Sequence, residues 1–151
     1  MITLMLWACD RSPPPPPAPP TFAVTGWETL AGMDHRQPVP MPAMMALHQK
    51  EQMRGHLVVV QEVLAGLAAD DLAAVEAAAM RMGTSPEMST MCERMGAEAE
   101  GFTDEALAFH RRADAIAAAA RAGDRAGVVA ATADTVQACT ACHERFRQEV
   151  R

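Results

Sequence analysis

The chain has 151 residues, enough for one domain with a core of its own, and half of them are hydrophobic. With no Tyr, four Phe and two Trp, that core must rest on Ala, Leu, Val and the twelve Met, a palette that favours helices over strands. Thirteen basic residues against nineteen acidic ones give a formal charge of −6, which argues against a nucleic-acid partner, since phosphate binding needs clustered Lys and Arg.

Residues 1–9 form a short apolar run ending in Cys9, and Leu6-Trp7-Ala8-Cys9 resembles a bacterial lipoprotein cleavage box, in which the cysteine becomes the lipidated first residue. Trp7 is bulky for such a box, and no Lys or Arg leads the run. Ten of the eleven prolines lie at or before Pro42, seven of them between Pro13 and Pro20. Residues 10–41 therefore read as an extended, semi-rigid tether without a core. No stretch reaches the roughly 20 apolar residues that span a bilayer.

The folded domain is expected over 42–151, where apolar residues recur at helical spacing and no run alternates with period two. A first helix is expected from Pro42 to about Ala69, with an inward stripe of Ala46, Gln49, Met53, Leu57, Val60, Leu64 and Leu67. A second runs from Asp70 or Asp71, as cap, to Met82. Residues 84–101 read as a partly ordered connection with a short helix around Met88 to Met95. A third helix has Thr103 as N-cap, acidic Asp104 and Glu105 in its first turn, and a stop at Gly123. The fourth starts at Asp124 and continues through Cys139, Cys142 and Phe146 towards the terminus. Four helices with short links predict an all-α, antiparallel four-helix bundle.

The chemistry concentrates in Cys139-Thr140-Ala141-Cys142-His143. On a helix, residues three and four apart share a face, so the two thiols and the imidazole are expected to point the same way into the bundle. Two thioether bonds can then hold one haem c covalently while His143 supplies a nitrogen to its iron. A zinc site would need four ligands, and no second Cys-x-x-Cys or His-x-x-x-His is present. A thioredoxin-like dithiol sits at a helix N-terminus behind a strand, whereas this pair lies within a helix.

With this motif on the last helix, followed by Phe146 and Arg147, the sequence resembles the cytochrome c prime family of four-helix-bundle c-type cytochromes over about residues 42–151. The resemblance implies that the last helix binds haem through Cys139, Cys142 and His143, with Phe146 and Arg147 beside it, and that the first helix covers the opposite haem face. High-spin members of the family place an apolar residue there and leave iron open to small gases; low-spin relatives place a Met there and carry electrons. The family's pattern of a polar or basic pair, two residues, then Met and a basic residue is most similar to Lys50-Glu51-Gln52-Met53-Arg54. Met53 is thus the first choice for a sixth iron ligand, with His56, one turn on, as the alternative. Met44, Met45 and His48 would need a shifted register, and His110 would approach from the side. Arg54 and Arg147 are candidates to pair with haem propionates.

Cys92, in a Met-rich stretch, matches no feature of the family; it reads as a small buried hydrophobe, with Cu(I) binding as the other option. The functional expectation is a mono-haem, non-enzymatic electron carrier in the periplasm, lipid-anchored through Cys9. Its expected partners are redox proteins, a membrane surface and a second copy of the chain. The alternatives are a gas-binding cytochrome for NO or CO and a haem-free structural lipoprotein. No Ser-His-Asp set, phosphate loop or paired carboxylates suggests catalysis.

Overall fold

The computed structural model describes residues 26–151. The chain divides into two units, residues 1–35 and 36–151. Of the first, the described part includes one short helix, α1 (Gly26–Met33), with Leu30 and Met33 exposed. The box-like segment ending at Cys9 and the proline run over 13–20 lie outside the described residues.

The second unit is a helical bundle. Its first long helix, α2 (Ala43–Ala68), follows Pro42 and ends in a turn where Asp70 adopts a φ of 59°, a conformation that a short Asp side chain tolerates. Asp71 then caps α3 (Leu72–Met80) by accepting the Ala74 N–H at 2.9 Å. The short helix expected around Met88 to Met95 is α4 (Pro86–Gly96), which starts two residues earlier, capped by Ser85 with Pro86 in its first turn. The next, α5 (Phe102–Arg121), starts one residue before the predicted cap Thr103. Gly101, at φ +80°, takes the cap position, and the Thr103 hydroxyl instead donates to the Cys92 carbonyl at 3.4 Å. The last helix, α6 (Arg125–Arg145), is capped by Asp124, which accepts the Gly127 N–H at 2.8 Å.

Two expectations fail in one place. Gln37-Pro38-Val39-Pro40-Met41, expected to carry no core, is a strand, β1 (Gln37–Met41), whose Val39 and Met41 are fully buried. The fourth helix was expected to continue through Phe146, but the chain turns extended there as β2 (Phe146–Val150), pairing parallel with β1 from Gln37↔Phe146 to Met41↔Val150. Pairing with a distant strand, and no local breaker, ends α6.

Helices α2, α3, α5 and α6 pack in succession, each antiparallel to the next, as the ion pairs Glu62–Arg81, Glu76–Arg121 and Glu105–Arg145 record across the successive seams. Val63, Val75, Ala79, Ala113, Ile116 and Val128 fill the core between them. A smaller cluster of Val39, Met41, Met95, Phe102 and Phe146 sits where β1 and β2 meet α4 and α5.

At the α2–α3 crossing a Cβ on Gly66 would lie 2.8 Å from Val75 Cγ2 and 3.1 Å from the Asp71 carbonyl oxygen, whereas one on Gly55 would meet nothing within 4 Å. Gly66→Ala is therefore expected to destabilise the chain by about 1–3 kcal/mol through overpacking. Gly55→Ala, in a solvent-facing stretch of helix, should stabilise it by about 0.5–1 kcal/mol in the same urea titration.

Candidate functional site

The fourth seam, α2 against α6, differs from the other three. It is tied at both ends: Arg125 Nη2 of α6 donates to the Leu67 carbonyl at 2.8 Å, and beyond the other end of α6 Gln148 Nε2 of β2 donates to the Ala46 carbonyl at 3.1 Å. Between the ties the helices part around a cleft of about 540 Å³, lined from α2 by Val60, Leu64 and Leu67 and from α6 by residues between Val129 and Thr140.

The sequence produces this cleft by giving α2 two apolar stripes. Val59, Val63 and Gly66 are buried on the side that meets α3, while Ala46 and Gln49 are buried near β2, where Gln148 reaches them. The predicted inward stripe lies about a quarter-turn from the row of Val59, Val63 and Gly66: its Ala46, Gln49 and Leu67 are buried, but Leu57 is 71% exposed, Leu64 54% and Met53 37%. On α6 the buried row is Val128, Thr132, Thr135 and Ala138, while Val129 and Val136 on the adjacent face are exposed. Burying a side chain of this size contributes about 1.5–3 kcal/mol. Two facing rows left in water thus forgo several kcal/mol of burial, and such a patch marks a binding surface.

The Cys-x-x-Cys-His motif lies at one end of the cleft. His143 is exposed and continues the row of Val136 and Thr140 at spacings of four and three. Cys139 and Cys142 are half-buried, turned towards the main core and the smaller cluster respectively. The expectation that all three groups point one way is thus met only loosely, with the imidazole on the cleft row and the thiols inside its edge. Desolvation, followed by the charge of Glu105, pushes the Cys142 thiol up to about 11, and desolvation also raises Cys139. Both are protonated at neutral pH, the reverse of the low-pKa thiol that disulfide exchange uses.

Met53 and His56 diverge. Fourteen residues along each helix from the Leu67–Arg125 tie stand Met53 and Cys139, so Met53 is level with the motif on the cleft stripe. His56 turns instead towards α5, its ring 4.8 Å from Phe109 and 5.5 Å from His110. Desolvation, then the neighbouring His110, lowers its pKa to about 4. His110 is buried too, paired through Nδ1 with the Met82 carbonyl at 2.7 Å. Of the other candidates, Met44 and Arg54 are exposed and Met45 packs on the smaller cluster. Cys92 is buried, its Sγ 3.5 Å from Met88 Sδ, and desolvation raises its pKa.

Phe146 is buried against Phe102 in an edge-on contact with ring centroids 5.3 Å apart, and the Arg145 guanidinium lies 4.9 Å over its ring. Arg147 pairs with Glu149 at 3.5 Å, but its Nε is buried without an acceptor. The residues present fit a haem: an apolar cleft between two helices, an imidazole on its row, two thiols at its edge and, on β2, a guanidinium whose Nε lacks an acceptor. The reading from sequence missed Arg36, whose Nη1 donates to the His143 carbonyl at 3.2 Å. The apolar residues at alternate positions 37–41, hidden between prolines, were the signal for the strand it precedes.

The family model described as Cytochrome C' matches residues 82–147, from just after α3 through α6 to the start of β2. No curated protein and no solved structure matches the chain. The match bears out, over that stretch, the resemblance to the cytochrome c prime family, whose members are helical-bundle c-type cytochromes, and it implies haem binding. No helix among the described residues is long and apolar enough to cross a membrane.

The histidine pair makes folding depend on pH. His56 and His110 both have lowered pKa values, so the folded chain holds neutral two imidazoles that the unfolded chain protonates. Stability is then fully present above about pH 6.5 and is lost as pH falls towards 4. His56→Leu is expected to remove about 2 kcal/mol of the loss between pH 7 and pH 4, allowing for partial exposure, in denaturation curves of the haem-free protein.

Proposed function

We propose that the protein is a mono-haem c-type cytochrome that carries electrons, with its haem held covalently by Cys139 and Cys142 and seated in the cleft between α2 and α6. The observation that carries this reading is the coincidence of two facing, uncovered apolar rows with a Cys-x-x-Cys-His motif at one end of them. Haem would supply reversible one-electron exchange at its iron.

The chain's own groups then have defined tasks. His143 would bind iron from the α6 side and Met53 from the α2 side, its thioether favouring the reduced state and hence a higher potential. Leu57, Val60, Leu64, Val129 and Val136 would exclude water from the ring faces. Arg147, with its buried and unpaired Nε, would neutralise a propionate. His56 is the weaker candidate for the sixth ligand, because it would have to leave Phe109 and His110 to reach the cleft. A periplasmic setting, with a lipid on Cys9 and a proline-rich tether behind it, would suit this attachment chemistry.

Two outcomes check the reading. In protein made by a host that matures c-type haem, haem should stay with the polypeptide through acid and organic extraction, and be lost in the Cys139→Ala, Cys142→Ala double variant. Extractable haem in the wild type would sink the assignment. Met53→Ala should lower the potential and let CO bind the reduced protein at once, while His56→Ala leaves both nearly unchanged. Rapid CO binding by the wild type would favour the gas-binding alternative instead.

A further inference from the structure

We propose that β1 is a positioning strap for the haem-attachment turn: it closes the C-terminal end of α6 and thereby sets the direction of Cys142 and His143. This rests on the haem reading for its purpose but not for its geometry. The last four carbonyls of a helix have no partner within it. In α6 the Cys142 carbonyl keeps the last bond of the helical ladder, from the Phe146 N–H, and the next carbonyl, that of His143, is taken up from outside by Arg36, which leads directly into β1.

The strap also decides where α6 stops. Gln37 pairs with Phe146, the first extended residue, and the ladder continues to Met41, whose carbonyl accepts the Arg151 N–H at 3.2 Å. Val39 and Met41 bury their side chains in the same cluster as Phe102 and Phe146, and Cys142 packs on that cluster. The thiol of the second attachment cysteine therefore rests on a surface that β1 completes.

The prolines suit the task. Residues of a parallel strand alternate in the edge to which they present backbone groups, and Met41 faces β2. Pro38 and Pro40 then face the outer edge, where the missing N–H groups prevent pairing with a further strand. Proline also holds the segment extended before it docks, which reduces the entropy lost on ordering it. Arg145 braces the turn from the opposite side, bonded to Glu105 at 2.6 Å and to the Glu100 carbonyl at 3.4 Å.

The test uses full-length protein with Arg36→Ala and, separately, Val39→Asp. In the haem-free chain, amide hydrogen exchange over residues 142–146 should be about tenfold faster in Arg36→Ala than in the wild type, the effect of losing one charge-assisted hydrogen bond, with residues 126–136 unchanged. Val39→Asp should give a larger effect that also reaches the cluster around Met95 and Phe102. In the maturing host the fraction of chain carrying covalent haem should fall several-fold in Arg36→Ala and recover in Arg36→Lys. Exchange over 142–146 within twofold of the wild type in Arg36→Ala would overturn the proposal, whether or not Val39→Asp folds. A wild type that takes up no haem would remove the haem reading, while the exchange result would still decide whether β1 holds the turn.

Discussion

Two helices that are tied at their ends and kept apart in the middle set the conditions for everything else in this molecule. Arg125 joins α6 to the Leu67 carbonyl and Gln148 joins β2, which continues directly from α6, to the Ala46 carbonyl, so α2 and α6 cannot drift far apart. Neither can they close without burying their second apolar stripes on one another, and the structure leaves Leu57, Leu64 and Val129 in water. An apolar planar group between them would recover that burial. The other three seams need nothing of the kind, because Val63, Val75, Ile116 and Val128 already fill them.

The titratable groups divide along the same line. On the closed side, desolvation keeps His56 and His110 neutral and ties them to Phe109 and the Met82 carbonyl, so they stabilise the bundle above their titration range and oppose it below. At the cleft, Cys139 and Cys142 are held protonated by burial, while His143 remains accessible. A thiol that is protonated and shielded resists stray oxidation until a partner is brought to it. The arrangement suits groups awaiting attachment better than groups that cycle between dithiol and disulfide.

Much of this was legible in the sequence. Asp71 and Asp124 mark helix starts through cap chemistry that is local, and the Cys-x-x-Cys-His motif needed no fold to be seen. The strap was not legible, because Pro38 and Pro40 suggest an unpaired tether unless the partner strand, more than a hundred residues away, is already known. Helix α6 likewise ends at Arg145 for a reason outside itself. Of the α2 stripe read as facing inward, Ala46, Gln49 and Leu67 are buried, but Met53, Leu57 and Leu64 are not. Spacing identifies a face and does not say which neighbour covers it, and the buried row of Val59, Val63 and Gly66 lies a quarter-turn away. Met53 and His56, one turn apart in sequence, were separable only once His56 was found against Phe109.

The central claim, that Met53 on α2 and His143 on α6 face each other across a bound haem, is tested most directly by the optical spectrum of the oxidised and reduced wild-type protein purified from a host that matures c-type haem. The account predicts a low-spin iron in both states and, in the oxidised protein, the weak far-red band of an iron–thioether bond. A high-spin spectrum in both states would contradict it.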